Sequence, residues 1–272
     1  MLLREHAPVR SRPMTAGLAF VATAVASLFA QSTLVRYTRR RKPHEAAWTV
    51  ALVMFALASA ALATGASTGW DRGTFRVFYL LGAVLNVPWL ALGTVYLLLG
   101  PAVGRRVRAA LLVLSGFAAG VLVSAPMARH IPRDSIPVGK DTFGALPRVL
   151  AAVGSGAGAT VIVAGAVWSA ARLLRRRDEP GAARLAGANV LIALGTLVLS
   201  SGGLVQGVAG RDEAFTLSLA SGIIIISLGF VVAERRVQTE RSVVSSRSSR
   251  LSSFPTKERG RASATSTRVG HL

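Results

Sequence analysis

The chain alternates long apolar runs with short polar and charged segments. Crossing the hydrocarbon core of a bilayer as a helix takes about 20 consecutive apolar residues, and seven charge-free runs are long enough. They lie at about 14–35, 47–66, 76–100, 109–127, 149–171, 185–208 and 214–233. Strands of a membrane barrel would alternate apolar and polar residues, whereas these runs do not. We therefore predict an all-α fold, a polytopic transmembrane bundle of seven helices.

The distribution of positive charge predicts the orientation of this bundle. The net charge is +20, and most of the 32 basic residues lie in 36–42, 105–108, 172–184 and beyond 234. Those segments fall on one side of the predicted membrane, which the positive-inside rule makes the cytoplasm. The N-terminus is then outside and the C-terminus inside. The charge is explained by topology and by attraction of the inner basic loops to anionic lipid headgroups, so the predicted partner is the bilayer and no nucleic acid.

A cleaved signal peptide is an alternative for the first apolar run. Arg4, Arg10 and Arg12 precede it, and it reaches about Ala30. Cleavage would place the basic segment 39–42 outside, against the charge rule, and the run is longer than an ordinary signal core. We therefore favour a first transmembrane helix. The preponderance of Arg over Lys, with abundant Ala and Gly, is typical of GC-rich genomes and predicts a bacterial plasma (inner) membrane.

Three regions follow from these patterns. Residues 1–12 are predicted to be a short extracytoplasmic N-terminus, and 13–233 the seven-helix domain. Residues 234–272 are rich in Ser and Arg with few large apolar side chains, so we predict a disordered basic cytoplasmic tail. The outer loop 129–148 contains three prolines and is expected to be irregular and packed on the helix ends.

Chemistry inside the membrane usually depends on ionisable side chains, and the predicted spans contain none. The chain has no cysteine, and all four histidines lie outside the spans. We therefore predict no cofactor and no metal. The outer loop carries one acid/base group, His130 with Asp134 and Asp141, which makes a membrane enzyme the third alternative.

Uncharged polar and aromatic residues concentrate in the third and sixth spans. On the third span, Tyr79, Gly82, Asn86, Trp89, Gly93 and Tyr96 recur at helical spacing and share one face. Pro88 removes an amide donor, and we expect it to free the carbonyl of Val84. The candidate binding residues are Tyr79, Asn86, Trp89, Tyr96, Asn189, Thr196, Ser200 and Gln206. The favoured interpretation is packing, with an interhelical hydrogen bond at Asn86, and the other is a path for a solute.

Small residues one turn apart permit close approach of helices. Gly116 and Gly120, Gly154 and Gly158, and Gly203 and Gly207 have this spacing. They are suited to contacts within one chain and equally to a homo-oligomer.

The sequence from Phe75 to Leu99 (FRVFYLLGAVLNVPWLALGTVYLLL), with Gly139 to Pro147 (GKDTFGALP), resembles uncharacterised multi-pass membrane proteins of GC-rich bacterial genomes. The resemblance covers Ala46 to Ala233. It implies a seven-span fold and no particular activity.

These observations predict a non-enzymatic membrane protein, sensor-like or a scaffold, that binds a lipid or small amphiphile between its helices. The alternative is a facilitator for an uncharged or weakly polar solute, whose path Tyr79, Asn86, Tyr96, Thr196 and Ser200 would line. A packed bundle should exclude water at Asn86, whereas a transporter must admit it.

Overall fold

The fold is all-α, as predicted. The computed structural model describes residues 11–175, 182–209 and 212–252, and in these the only strand-like pairing is a single bridge between Met127 and Phe143. The helices are α1 (Ser11–Arg40), α2 (Pro43–Thr68), α3 (Arg72–Phe78), a π-helix (Tyr79–Leu85), α4 (Asn86–Ser124), α5 (Gly139–Thr142), α6 (Ala145–Leu174), α7 (Ala182–Ala209) and α8 (Asp212–Ser252).

Five helical stretches among the described residues are long and apolar enough to cross a membrane. They are Pro13–Arg40, Pro43–Thr68, Arg72–Ser124, Ala145–Leu173 and Asp212–Val232, and Ala186–Gly202 is a shorter apolar helix. The stretch Arg72–Ser124 contains the third and the fourth predicted spans. The number of spans and the side on which each terminus lies stay predictions.

The long stretch that ends at Ser124 is folded back on itself at Gly100. A straight helix would hold residues 89 and 115 about 39 Å apart, yet the indole Nε1 of Trp89 donates to Ser115 Oγ at 3.1 Å. The reversal occurs where Gly100 has φ +82° and ψ 175°, a conformation open to glycine and costly for other residues. Pro101 follows, at a position where a new helix needs no amide donor. Residues 86–99 and 101–124 are thus two helices side by side.

Pro88 is accommodated by the π-helix that precedes it. The Asn86 N–H bonds to the carbonyl of Leu81, five residues back. The expectation that Pro88 frees the Val84 carbonyl stays a prediction, and the backbone acceptor that α6 reaches is the neighbouring carbonyl of Ala83, inside the π-helix. Ser155 on α6 donates its hydroxyl to the Ala83 oxygen at 2.6 Å. A backbone carbonyl of the π-helix therefore receives a hydrogen bond from the neighbouring helix, as an apolar interior favours.

Glycines of α6 bring that helix against α4. A Cβ built at Gly158 would lie 2.9 Å from the carbonyl carbon and oxygen of Val87, and one at Gly154 would lie 3.0 Å from the Val84 oxygen. Around Gly116 and Gly120, by contrast, no atom lies within 4 Å of a built Cβ. The first motif packs helices within the chain and the second does not. Side chains around Gly203 and Gly207 lie outside the described part.

Hydrogen bonds and an aromatic stack hold the 125–144 loop against the helix ends. Ile136 N–H donates to Asp212 Oδ2 at 2.7 Å, and Arg76 Nη2 donates to the Ala125 carbonyl at 3.0 Å. The ring of Phe143 stacks on Phe75 with centroids 5.5 Å apart. The loop is largely irregular and packed on the helix ends, which agrees with the expectation from its prolines.

Two compact units divide the chain, residues 1–233 and 234–272. In the second unit the helix α8 continues to Ser252, whereas we predicted disorder from residue 234. No Gly or Pro lies between Gly229 and Pro255, and extending an existing helix avoids the cost of nucleation. Residues 253–272 lie outside the described residues.

Candidate functional site

The polar face predicted on the third span is a packing face. Asn86, Trp89 and Tyr96 are buried, and Tyr79 is half-buried. A Cβ at Gly93 would overlap the indole of Trp48 on α2. Trp48 thus fills the space beside this face, and neither of the two cavities described below is lined by any of the four predicted residues.

Among the described residues, Asn86 makes no interhelical hydrogen bond of the kind that we expected. Its side chain is 7% exposed and has no hydrogen bond to a described residue. The interhelical bond at this level is the one from Ser155 to the Ala83 carbonyl. The π register creates that acceptor on the backbone, and sequence periodicity gives no sign of it.

Of the predicted residues on the sixth span, Asn189 and Thr196 have different roles. Asn189 Nδ2 donates to Ser169 Oγ on α6 at 2.8 Å, which joins two helices. Thr196 is buried and its hydroxyl donates to the Ile192 carbonyl of its own helix at 2.8 Å. Ser200 is half-buried, and the side chain of Gln206 lies outside the described part. Only Asn189 therefore contributes to the site described next.

A cleft of about 60 Å³ opens between α2, α4, α6, α7 and α8. A water molecule needs about 10–15 Å³ of such space, so the cleft has room for several waters or a short piece of an alkyl chain. Its walls are Trp48, Leu90, Thr94, Leu97, Leu98, Ile162, Gly165, Ala166, Ser169, Asn189, Ile192, Ile226 and Phe230. Most of these side chains are apolar, as in sites for small molecules.

The cleft has a buried floor and an exposed rim. Ile226 and Ile162 are 1% and 2% exposed, whereas Leu97 and Leu98 are 55% and 41% exposed. The polar groups within it are Thr94 and the Asn189–Ser169 pair. An apolar chain can therefore enter past the two leucines and meet a hydrogen-bonding group inside.

An aromatic group closes one side of the cleft. The Trp48 and Phe230 rings meet edge to face with centroids 4.9 Å apart, and Phe29 meets Phe230 at the same distance. His44 lies 5.2 Å from Trp48. The position of Trp48 depends on the missing side chain of Gly93.

Glu45 is the acidic residue that the sequence analysis missed. It lies in the first turn of α2, is 4% exposed, and its Oε2 has no hydrogen-bond partner among the described residues. The predicted span begins at about residue 47, two residues later, which leaves Glu45 in a loop. One signal was available, since Glu45 is the only acid in the basic segment 36–45.

Three further buried polar atoms lack a hydrogen-bond partner in the described part of the chain: Arg184 Nε, Tyr96 Oη and Arg76 Nε. Arg184 lies in the first turns of α7, the helix that carries Asn189. Arg76 lies at the opposite end of the bundle, where its Nη2 bonds to Ala125.

The acid/base group predicted in the outer loop is not assembled as a site. Asp134 and Asp212 border a cavity of about 10 Å³, and neither His130 nor Asp141 lines it. No cluster of three or more His, Asp or Glu side chains is found within the described residues. Asp71 caps α3, because its carboxylate accepts from the N–H groups of Gly73 and Thr74 at 2.7 and 3.0 Å.

The fold and the apolar helices define the chain as an α-helical membrane protein with a small amphiphilic cleft. Comparison with models of protein families finds none that matches, and no curated protein has a detectably similar sequence.

Proposed function

We propose that the chain is a non-enzymatic, sensor-like or scaffold protein of the bacterial plasma membrane, which holds a lipid or small amphiphile in the cleft. The observation that carries this is the composition of the cleft. Its walls are apolar, and the Asn189–Ser169 hydrogen bond lies inside. An amphiphile has an apolar chain that can contact these walls and a polar group that can bond to the Asn189–Ser169 pair.

The proposed topology places this cleft in the cytoplasmic half of the bilayer. In this topology the end of α1, the reversal at Gly100 and the start of α7 all lie at one end of the helices. Basic residues cluster there in the sequence, at 36–42, 105–108 and 172–184. With seven spans and the N-terminus outside, that end faces the cytoplasm, and its charge attracts anionic headgroups.

Photo-crosslinking tests occupancy of the cleft. A phospholipid with a diazirine in its acyl chain is added to the purified full chain in nanodiscs, and the adducts are mapped by mass spectrometry. We expect adducts at Leu97, Leu98 and Ile192 that an excess of unlabelled lipid removes. Adducts spread evenly over exposed positions such as Val113 and Val123, 76% and 70% exposed, would refute a specific site.

A matched pair of variants on α6 sharpens this test. Ala166 lines the cleft and is 7% exposed, whereas Ala164, two residues away, is exposed and does not line it. Ala166→Phe fills the cleft and should abolish the competed adducts. Ala164→Phe adds the same side chain on the lipid-facing surface and should leave them unchanged.

The facilitator alternative receives less support from the packing. Its proposed path along Asn86 and Tyr96 is occupied by packed side chains, with Trp48 seated at Gly93. Such a path requires another conformation in which α2 moves away from α4. We also propose a homo-oligomer through Gly116 and Gly120, because in the described part of the chain nothing outside their own helix lies within 4 Å of a Cβ built at either glycine.

A further inference from the structure

Two buried groups of opposite charge type lie at the same end of the bundle as the cleft. Glu45 is three residues before Trp48, and Arg184 is five residues before Asn189. Trp48 and Asn189 line the cleft. Glu45 Oε2 and Arg184 Nε are both buried without a hydrogen-bond partner in the described part of the chain. Each group is a donor or acceptor that a ligand can satisfy.

Leaving such groups unpaired is costly. A charged or polar group removed from water without a partner destabilises the folded state unless something compensates it. Within a membrane, an ionisable side chain of this kind usually marks a functional site. The unbonded Glu45 Oε2 and Arg184 Nε therefore indicate the headgroup that accompanies the apolar cleft.

The aromatic residues beside Glu45 favour a cation. Residues three apart on a helix have Cβ atoms about 5–6 Å apart, so the Glu45 carboxylate lies within one turn of the Trp48 indole. Trp48, Phe230 and Phe29 form consecutive edge-to-face pairs with 4.9 Å between centroids. Aromatic faces and a carboxylate together are the groups that recognise ammonium ions.

We propose that the cleft selects a membrane lipid with a zwitterionic aminophosphate headgroup, whose ammonium binds at Glu45 and Trp48 and whose phosphate binds at Arg184. This inference rests on the proposed function and adds the headgroup to it. A purely anionic lipid would bond to Arg184 Nε and leave Glu45 Oε2 without a partner. A simple amine would pair with Glu45 and leave Arg184 Nε without a partner.

The headgroup is tested by lipid competition on the purified full chain. Equal amounts of phosphatidylethanolamine and phosphatidylglycerol with identical acyl chains are offered, and retained lipid is counted by native mass spectrometry. We expect phosphatidylethanolamine to be retained preferentially by the wild-type chain. Glu45→Gln should lower the preference about tenfold, the effect of losing one hydrogen bond to a charged group.

Glu213→Gln is the matched control. Glu213 also lies in a first helical turn, that of α8, but it is exposed. Both substitutions remove a favourable charge at a helix N-terminus, and only Glu45 belongs to the proposed site. Glu213→Gln should therefore keep the preference, and Arg184→Gln should weaken retention of both phospholipids without changing their ratio.

A change in the lipid provides a test that does not depend on folding of a variant. N-acetylation of phosphatidylethanolamine removes its positive charge, and the wild-type chain should then lose the preference. Equal retention of the amine and N-acetyl lipids, or an unchanged preference in Glu45→Gln, would overturn the headgroup assignment. If that happens while Ala166→Phe still abolishes retention, the cleft remains a lipid site. If Ala166→Phe has no effect, the proposed function fails as well.

Discussion

Replacing Gly158 by alanine should destabilise the bundle, while the same change at Gly156 should not. A Cβ at Gly158 would lie 2.9 Å from the Val87 carbonyl, and one at Gly156 would have no neighbour within 4 Å. Carbon atoms in contact are normally about 3.5–4.0 Å apart. Accommodation at Gly158 therefore requires α6 to move away from α4 by roughly 0.5–1 Å.

The magnitude follows from two opposing effects. Alanine is favoured over glycine inside a helix by about 1 kcal/mol, and this gain is common to both positions of α6. Overpacking costs about 1–3 kcal/mol, and a shift of α6 also stretches the bond from Ser155 to the Ala83 carbonyl, 2.6 Å long. We expect Gly158→Ala to be less stable than Gly156→Ala by about 1–3 kcal/mol.

Reversible unfolding in mixed micelles, followed by circular dichroism or steric trapping, measures this difference directly. The comparison with Gly156→Ala removes helix propensity from the result. Equal free energies of unfolding for the two variants would refute the close approach of α6 and α4. Gly158→Ala should lower the free energy of unfolding more in the wild-type chain than in a Ser155→Ala background. The two substitutions disturb the same interface, so their effects should not add.

Three further predictions concern the N-terminal cap of α3, the position of the Trp48 indole and the access of water to Asn86. Asp71→Ala should lower the free energy of unfolding by about 1 kcal/mol through loss of the α3 cap. The hydrogen bond from Thr74 lowers the pKa of Asp71 below its ordinary value of 3.8. The cap's contribution to the free energy of unfolding is therefore present above this ordinary value and is lost as the pH falls through the lowered pKa. Asp71→Asn should keep most of the cap, and its unfolding free energy should not show this pH dependence. Gly93→Ala should displace Trp48 and shift tryptophan emission, and an unchanged spectrum would contradict the contact. Asn86→Cys, the only cysteine in such a variant, should resist a membrane-impermeant maleimide, whereas rapid labelling from either side would favour a facilitator.

Much of the fold could be predicted from local patterns. Charge-free runs predicted helices because the backbone must satisfy its own hydrogen bonds in lipid, and each predicted span lies within the observed helices except for residues 125–127. Pro88 predicted a disturbance of the third span. The π-helix itself could not be predicted, because a proline is compatible with a π-turn and with a simple kink, and the bond from Ser155 to Ala83 is a contact between two helices.

The candidate site was less accessible to sequence reasoning. Periodicity correctly placed Asn86, Trp89 and Tyr96 on one face of the third span. It could not show that Trp48 of α2 packs beside this face, because that contact joins residues far apart in the chain. Asn189 was found because it is a polar residue in an apolar run. Glu45 was missed because a charge at the edge of a run is assigned to the loop when only the run is considered.

The sequence by itself determined which segments are helical and apolar, where charge collects, and where glycine permits close approach. Only the tertiary structure decided which glycines are used: Gly154 and Gly158 meet a backbone, while Gly116 and Gly120, with the same spacing, meet nothing. It also decided where a cleft remains and that Glu45 is buried. The physical reason is that a helix repeats with its own period whatever surrounds it, whereas burial and cavities depend on the shapes of several helices that pack together.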